Sequence, residues 1–312
     1  MNTFSHAVVI CTRSRKKSLI ECLDSINANK GAMHVQIIIV LNGISEEEYR
    51  EFSNDLKHKY NLKIEVLRSE PGLTHARNMA LSYTSAELVT FLDDDVLLPG
   101  DFILKTEQYF EENMQINGAS PRIKDLYINQ SKRNRLLVRR NYGRVTGTCR
   151  NYWVPDLDET KFKRIDWLPG CCMTYRTKEI RDKRFSIELE KGPSGGYALG
   201  EDVDFSIRMG ELGLIKDLSI EHKQAPSVRD SSRVMSQAIG RWHGYLIRNY
   251  PARVSFFKTI SLDTFLFGYL ILKALLFRMN AKNELMNKLI EINSLINELR
   301  DPILIEKNHR GK

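Results

Sequence analysis

Short apolar runs alternate with segments of helical periodicity along the first hundred residues, and this alternation constrains the fold more than any other feature. The apolar runs lie at 7–11, 35–41, 63–67 and 88–92. Between the first two runs, Leu19, Leu23 and Ile26 recur at the spacing of one helix face. Further helices are predicted at 46–60 and 73–83. Because strands that alternate with helices form a parallel sheet covered on both faces, the sequence predicts a doubly wound α/β fold.

Composition limits the class of protein. The 312 residues are 42% hydrophobic and 28% charged, which is ordinary for a globular chain and excludes wholesale disorder. The net charge of +8 favours polyanionic partners, namely nucleic acid, anionic lipid or phosphorylated substrates. The five cysteines contain no C-x-x-C pair, and no signal peptide is recognised at the N-terminus. Free thiols in a reducing compartment are expected, so the predicted location is the cytoplasm.

Three adjacent carboxylates, Asp93, Asp94 and Asp95, follow the run 88–92. Adjacent carboxylates repel one another, so a cation or solvent must offset their charge. Mg²⁺ prefers one or two carboxylates together with substrate phosphates, and ligands of open α/β sheets bind at the carboxyl ends of strands. The triplet by itself indicates either a divalent cation site or a solvated acidic turn or helix N-cap before Pro99.

Three weaker signals follow. Glu201 and Asp202 come after Gly200, where acids either complement a helix dipole or include a general base. Gly72 precedes a helix whose N-terminus could cradle phosphate, with Arg77 adding charge. His222 follows a predicted strand at 215–220 and is as a lone histidine more often structural than a metal ligand.

Two later regions differ in character. The stretch 124–165 is strongly basic and is interpreted as an irregular insertion, serving either as a solvated surface loop or as a contact for a phosphorylated acceptor or anionic membrane. From about residue 234 the chain reads as helical. Its apolar stretch 264–277 is shorter than the roughly 20 residues that span a bilayer. The stretch either packs on the catalytic domain or a second subunit, or lies in a membrane interface.

Five segments, in order, resemble the family 2 glycosyltransferases of the GT-A fold. The opening AVVICTRSRKKSLIECLDSI is similar to that family's first strand, nucleotide loop and first helix, and EPGLTHARNMAL to its glycine-to-Ala-Arg-Asn segment. FLDDDVLLPGDF resembles the Asp-x-Asp motif, WLPGCCMTYRTKEI the acceptor-side strand and loop, and GEDVDFSIRMGELG the Glu-Asp helix that carries the catalytic base. The resemblance implies a GT-A type doubly wound mixed sheet over 1–233 and a helical C-terminal region over 234–312.

The resemblance also implies roles for particular residues. It makes Asp202 the general base, with Glu201 the second candidate. It assigns a divalent cation, Mn²⁺ or Mg²⁺, to Asp93, Asp95 and His222. The residues that it places on the nucleotide side are Thr12, Arg13, Asn42, Gly72, Arg77 and Asp94. One departure concerns the second strand, where the family's common aspartate is Leu41 here, so the base of the nucleotide is not specified.

The predicted function is inverting, metal-dependent transfer of a sugar from a nucleotide-diphosphate donor to a hydroxyl acceptor. The expected setting is surface polysaccharide or glycolipid assembly, with a glycan or lipid-linked acceptor. Attachment to the cytoplasmic face of an anionic membrane, and an oligomer formed through the C-terminal helix, are left open. Two alternatives are a nucleotidyltransferase and a nucleic-acid-binding protein that uses the basic segment, although no nucleic acid partner is expected because the acidic clusters would have no role.

Overall fold

The computed structural model describes residues 4–13, 15–124, 141–153, 165–190, 199–223, 232–277 and 282–300. The strands are β1 (His6–Thr12), β2 (Gln36–Asn42), β3 (Lys63–Ser69), β4 (Leu88–Asp93), β5 (Val96–Leu97), β6 (Gly118–Ile123), β7 (Cys172–Arg176) and β8 (Leu212–His222). The helices are α1 (Lys16–Asn27), α2 (Glu46–Lys59), α3 (Leu73–Tyr83), α4 (Phe102–Glu112), α5 (Thr177–Ile180), α6 (Glu201–Ile207), α7 (Ser232–Asn249), α8 (Phe256–Phe277) and α9 (Lys282–Arg300).

These strands form one mixed sheet in the order β3-β2-β1-β4-β7-β6-β8-β5. The first four strands in this order are parallel, as the alternation of strands and helices predicts. β7 pairs antiparallel with both β4 and β6, whereas β6 and β8 are parallel. Past β4 the sheet is therefore mixed, as the resemblance implies, because β7 runs antiparallel to both of its neighbours. The doubly wound mixed α/β fold is confirmed.

The local signals that the sequence carries account for the first elements. Ile37 to Val40 of β2 are fully buried, as expected for a strand covered on both faces. On α1, Leu19, Leu23 and Ile26 are buried along one face. α2 begins at a capping box, in which Ser45 Oγ accepts a hydrogen bond from the Glu48 N–H and the Glu48 carboxylate accepts one from the Ser45 N–H. The burial of β2 and α1 and the capping of α2 thus agree with the alternating strands and helices that the sequence predicts.

Later elements depart from the sequence-based expectations. β5, β6 and α4 were not anticipated, because their patterns are short or interrupted. The helix that the acids after Gly200 indicate is short and ends at Ile207, since Leu212 already begins β8 and pairs with Gly118 of β6. The strand predicted over 215–220 is correspondingly longer. Of the basic segment 124–165, residues 125–140 and 154–164 lie outside the described residues, so its interpretation stays a prediction.

The chain divides into two compact units. One comprises the chain up to Arg144 together with Tyr152–Lys191 and Gly200–Ala225 and holds the sheet. The other comprises Val145–Asn151, Gly192–Leu199 and the chain from Pro226 onwards, and it holds α7, α8 and α9. The predicted limit of the catalytic domain at residue 233 stays a prediction. Within the described part of the chain, no helix has both the length and the apolar character needed to cross a lipid bilayer.

Candidate functional site

The acidic triplet lies at the carboxyl end of β4, at the edge where the sheet changes from parallel to antiparallel pairing. Asp94 and Asp95 are buried, and Asp93 is partly exposed. Two backbone pairings fix this turn. The Asp93 N–H donates to the Cys171 carbonyl at 3.0 Å, and the Lys223 N–H donates to the Asp95 carbonyl at 3.0 Å. The turn is therefore held between the start of β7 and the end of β8.

The same pairing brings His222 to the triplet, because Val96 of β5 stands opposite His222 of β8. Its Nε2 lies 3.2 Å from Asp95 Oδ1 and 4.0 Å from Asp93 Oδ2. Burial opposes a charge on this ring, but the contacts with Asp95 and Cys171 and the charge of Asp93 outweigh it and raise the pKa of His222 to about 11. The lone histidine is thus a member of the acidic cluster.

Asp93, Asp95 and His222 fit a divalent cation by the chemistry of their donor atoms. Two carboxylate oxygens and one imidazole nitrogen lie within 4.8 Å of one another. Carboxylates suit Mg²⁺ and Mn²⁺, and an imidazole is accepted more readily by the transition metal. These three residues would hold the ion, with His222 giving up its ring proton on binding because a ligating imidazole is neutral. They are the set that the resemblance implies.

Asp94 faces the nucleotide loop rather than this cluster. The Thr12 hydroxyl donates a hydrogen bond to its carboxylate, and the Arg15 guanidinium forms an ion pair with it. Burial raises the pKa of Asp94 to about 6, although Thr12 and Arg15 oppose that rise. Arg15 also donates to Asp95 Oδ2 at 3.1 Å. The loop after β1 is thus tied to the triplet through charge-assisted contacts.

Three other residues assigned to the nucleotide side lie in different surroundings. Asn42 donates to the Thr12 carbonyl at 3.1 Å, and Arg13 is exposed just after β1. Gly72 stands before α3 with φ of 137°, and a Cβ there would strike the Glu190 carboxylate. Glu190 also accepts a hydrogen bond from the Thr74 N–H, so a side chain of the protein already caps this helix end. The structure thus places the Glu190 side chain at the helix N-terminus where the sequence suggests a phosphate.

Arg77 connects the two acidic motifs. This side chain is almost fully buried, lies 2.8 Å from Glu201 Oε1 and lies 3.6 Å from Asp93 Oδ1. It also donates to the Gly170 carbonyl at 3.0 Å. A buried guanidinium is stable only when its charge is paired, and here the pairing joins α3 to the ends of β4 and α6. Asp93 and Glu201 are therefore held at fixed positions on either side of Arg77.

Asp202 is the second residue of α6 and lies near this arginine, and its carboxylate is held by backbone N–H groups. Oδ2 accepts from the Gly170 N–H at 2.8 Å, and Oδ1 accepts from the Val203 N–H at 2.8 Å. Burial and the charge of Glu201 raise the pKa of Asp202 to about 7, against the opposing effect of the Gly170 N–H and Arg77. A carboxylate with a pKa near neutrality suits proton transfer, so Asp202 has the chemistry of a general base.

Three residues that contribute to this geometry carried no usable sequence signal. Arg15 lies in a basic run where nothing distinguishes it from its neighbours. Gly170 acts through its backbone groups, which composition does not reveal. Cys171 is buried beside His222, and burial raises the pKa of its thiol to about 11. All five cysteines are free thiols in the structure.

Comparison with known proteins agrees with this site. The family model described as glycosyl transferase family 2 matches residues 7–178, which is more than half of the chain. No curated protein matches the chain at a significant level of sequence similarity.

Solved structures share the fold. A mannosyltransferase from Pyrobaculum calidifontis, PcManGT, in complex with GDP-Man and Mn²⁺, has a TM-score of 0.59 and 13% identity, covering 97% of this chain and 89% of its own. S. aureus TarS 1-349 with UDP-GlcNAc has a TM-score of 0.55 and 18% identity, with coverage of 95% and 79%. GalNAc-T7 with UDP, GalNAc and Mn²⁺ has a TM-score of 0.54 and 14% identity, and the match covers 80% of this chain and 51% of GalNAc-T7. At these identities the likeness shows the GT-A fold.

The family match covers the nucleotide loop, the acidic triplet and the start of β7, all of which belong to the site described above. The chain therefore belongs to glycosyl transferase family 2 and is a glycosyltransferase.

Proposed function

We propose that this glycosyltransferase is inverting and depends on a divalent cation, and that it moves a sugar from a nucleoside diphosphate donor to an acceptor hydroxyl. The observation that carries the proposal is the pairing of two sites across Arg77. On one side Asp93, Asp95 and His222 offer a cation site, and on the other side Asp202 is a half-buried carboxylate with a raised pKa. Both GDP-Man with Mn²⁺ and UDP-sugar are held by structural neighbours, which supports this donor class.

The proposed reaction is one displacement. The acceptor hydroxyl gives its proton to Asp202, and its oxygen forms a bond to the anomeric carbon of the donor sugar. The bond from that carbon to the diphosphate oxygen breaks, and the diphosphate leaves with the electron pair. Because the acceptor attacks from the face opposite the leaving group, the anomeric configuration is inverted. A bound cation would offset the charge of the leaving diphosphate, with Arg15 contributing fixed positive charge at the same loop.

The proposed setting is the assembly of a surface polysaccharide or glycolipid, with a glycan or lipid-linked acceptor. The proposed location is the cytoplasm, because the five free cysteines suit a reducing compartment. Asn42 stands in the second-strand position next to Leu41, and no carboxylate is present there to select a base. The proposal therefore names the class of donor and leaves the nucleotide to experiment.

A donor screen tests the proposal. Purified protein is incubated with UDP- and GDP-sugars and a panel of acceptors, with Mn²⁺ or Mg²⁺, and release of nucleoside diphosphate is measured. We expect one donor to be consumed, a chelator to stop the reaction, and the product to have the inverted anomeric configuration by NMR. Release of pyrophosphate would identify a nucleotidyltransferase instead.

Asp95→Asn tests the cation site in the same assay. The change keeps the shape of the side chain and removes one carboxylate ligand, so we expect Mn²⁺ affinity, measured by calorimetry, to fall about tenfold or more. Asp101→Asn is the matched control, because Asp101 is 43% exposed and pairs only weakly with Lys105 at the surface. Unchanged Mn²⁺ affinity of Asp95→Asn, or full activity in the presence of the chelator, would contradict the proposed cation site.

A further inference from the structure

One side of α8 is apolar and exposed. Phe257, Phe265 and Leu275 are 77%, 69% and 73% exposed, and Tyr269 and Leu272 are each 53% exposed. At 100° per residue these side chains fall on one side of the helix. We call this set, Phe257, Phe265, Tyr269, Leu272 and Leu275, the α8 apolar face. Its area is on the order of several hundred Å², which is as large as the largest patches that ordinary monomers expose.

The opposite side of α8 is already packed within its own unit. Thr259 is 1% exposed and Asp263 is fully buried. Asp263 forms ion pairs with Arg150 at 2.8 Å and with Lys288 of α9 at 3.0 Å. These buried contacts fix the rotation of α8 about its axis, because turning the helix would expose or break them. The α8 apolar face is therefore held outward by the packing of the rest of the unit.

Charge favours an anionic occupant of this face over a second copy of the chain. The charged residues of α8 are Lys258, Asp263 and Lys273, and its one acid is the buried Asp263. Lys258 is exposed beside Phe257. The net charge of the chain is +8, so a second copy would bring like charges to the contact, whereas an anionic surface would bring opposite ones.

The distribution of polar groups favours lipid over protein. Protein interfaces carry about one hydrogen bond per 100–200 Å² and a polar rim. Along Phe257–Leu272 the exposed positions of α8 hold four polar side-chain groups, the Lys258 ammonium, the Ser261 and Thr264 hydroxyls and the Tyr269 phenol. An exposed apolar face that carries aromatic rings suits the boundary between headgroups and acyl chains, and a lysine beside it can extend its ammonium group to the headgroups.

We infer that the α8 apolar face inserts into the interface of an anionic phospholipid membrane, with α8 parallel to the membrane surface. The apolar side chains enter the boundary between headgroups and acyl chains, and Lys258 meets the headgroup phosphates. The inference rests on the proposed function for its purpose alone, since a lipid-linked acceptor would be found at such a surface. The binding itself requires no sugar transfer.

Vesicle flotation tests the inference with the full chain. Phosphatidylcholine vesicles that contain about one-third phosphatidylglycerol are compared with pure phosphatidylcholine vesicles. We expect the protein to float with the anionic vesicles, less so as salt is raised, and to stay behind with the neutral ones. The double variant F265E/L272E should bind the anionic vesicles about tenfold or more weakly, because it places two carboxylates within the face.

L104E/M114E is the matched control. Leu104 and Met114 are 45% and 66% exposed and belong to the unit that holds the sheet. This variant makes the same change in charge and should lose no more than a small part of the binding. Binding that is equal in the F265E/L272E and L104E/M114E variants would overturn the inference, as would failure of the unaltered protein to float.

Two further measurements distinguish membrane binding of the α8 apolar face from misfolding of a variant and from dimer formation. Hydrogen exchange of the unaltered protein should slow across Phe256–Phe277 when anionic vesicles are added, and this readout requires no variant to fold. Sedimentation velocity detects a second copy on the face, and a dimer that F265E/L272E dissociates, without vesicle binding, would contradict the inference. Donor consumption measured in water without lipid should be equal in both variants, so loss of membrane binding and failure of the proposed transfer are distinguishable.

Discussion

Glu201 and Asp202 are adjacent in the sequence, yet the structure gives their carboxylates different surroundings. Glu201 is paired with the Arg77 guanidinium at 2.8 Å. Asp202 accepts from two backbone N–H groups, at Gly170 and Val203. A Glu201 carboxylate that left Arg77 to serve an acceptor would leave a buried guanidinium without this partner, which is costly. We therefore assign the proposed base to Asp202 and the positioning of Arg77 to Glu201.

The raised pKa of Asp202 predicts how activity depends on pH. Below a pKa of about 7 the carboxyl is protonated and cannot accept the proton of the acceptor. We expect kcat to rise as pH increases through about 7 and to level off above it. Asp202→Asn removes the acceptor and should lower kcat roughly 10²–10⁴-fold at every pH. Steady-state kinetics between about pH 5 and pH 9 check both results.

Donor affinity provides the control for that variant. Asp202→Asn keeps the side-chain shape, so the donor Kd measured by calorimetry should change little. A variant that loses donor affinity and keeps its turnover would show that Asp202 binds the donor rather than acting as the base. A pH profile that falls through pH 7 would contradict the assignment as well.

At the scale of elements, the second unit is organised around a buried network of charges. Asp263 of α8 pairs with Arg150 and Lys288, and Glu291 of α9 pairs with Lys288 at 2.7 Å. His243 of α7 lies 3.6 Å from Glu291, and burial together with the charges of Arg150 and Lys288 lowers the pKa of His243 to about 3. The ring is thus neutral, and two acids balance two bases. The network joins α7, α8 and α9 to residues 145–151.

The same three groups, His243, Asp263 and Glu291, also have the spacing of metal ligands. Their surroundings make a cation unfavourable, because Arg150 and Lys288 already neutralise both carboxylates. A divalent ion would leave about two uncompensated positive charges in a buried position. We therefore interpret this group as a structural network that orients the helices.

Removing one member of the network should destabilise the protein. Asp263→Ala leaves Arg150 and Lys288 with a single carboxylate, and breaking a buried pair in this way costs about 3 kcal/mol. Asp55→Ala is the matched control. Asp55 pairs with Lys16 at 2.6 Å, but both side chains are about half exposed, so the change should cost about 0.5 kcal/mol or less.

Chemical denaturation of both variants measures the difference in the free energy of unfolding. Equal effects of Asp263→Ala and Asp55→Ala would show that the buried network contributes no more to stability than a surface pair does.

At the scale of the whole molecule, the net charge is +8 and the isoelectric point is about 9.1. Much of the excess is carried by the basic segment 124–165. A long-range positive potential attracts polyanions of any kind, and the charge alone does not select a nucleic acid, a phosphorylated acceptor or a lipid surface. Membership of glycosyl transferase family 2 gives the acidic clusters a role that a nucleic-acid-binding protein would leave unexplained, and we propose a phosphorylated acceptor as the partner of the basic segment.

A variant with fewer charges in the basic segment distinguishes between these candidate partners. A variant with Arg133, Arg135, Arg139 and Arg140 changed to Gln reduces the net charge from +8 to +4. We expect the acceptor KM to rise severalfold and the donor Kd to stay the same, since the residues of the donor site are intact. Steady-state kinetics with a phosphorylated acceptor provide the measurement.

Binding of random oligonucleotides is followed in parallel. Tight, salt-dependent oligonucleotide binding that the variant loses, with the acceptor KM unaltered, would favour the nucleic-acid interpretation. An acceptor KM and an oligonucleotide affinity that both stay constant would identify the segment as a solvated surface loop.

The α/β class can be predicted from the amino-acid sequence alone, because local periodicity reports which residues are buried. The runs at 7–11, 35–41, 63–67 and 88–92 became β1 to β4 within one or two residues. The acidic triplet was recognisable for a similar reason, since like charges in succession are unusual without a compensating partner. The Glu201–Asp202 pair was recognisable because the glycine before it marks a helix start. These signals all lie within a few residues along the chain.

Contacts between residues that are far apart in sequence form only in the folded chain. His222 joins Asp93 and Asp95 only because β8 pairs with β5, and Arg77 joins Asp93 to Glu201 only because α3 and α6 meet at the same edge of the sheet. The Glu190 carboxyl group lies against Gly72 at the start of α3, although the two residues are far apart in the sequence. A pKa is set by such neighbours and by burial, so the chemical difference between Asp202 and Glu201 exists only in the folded chain, where each carboxylate has its own partners.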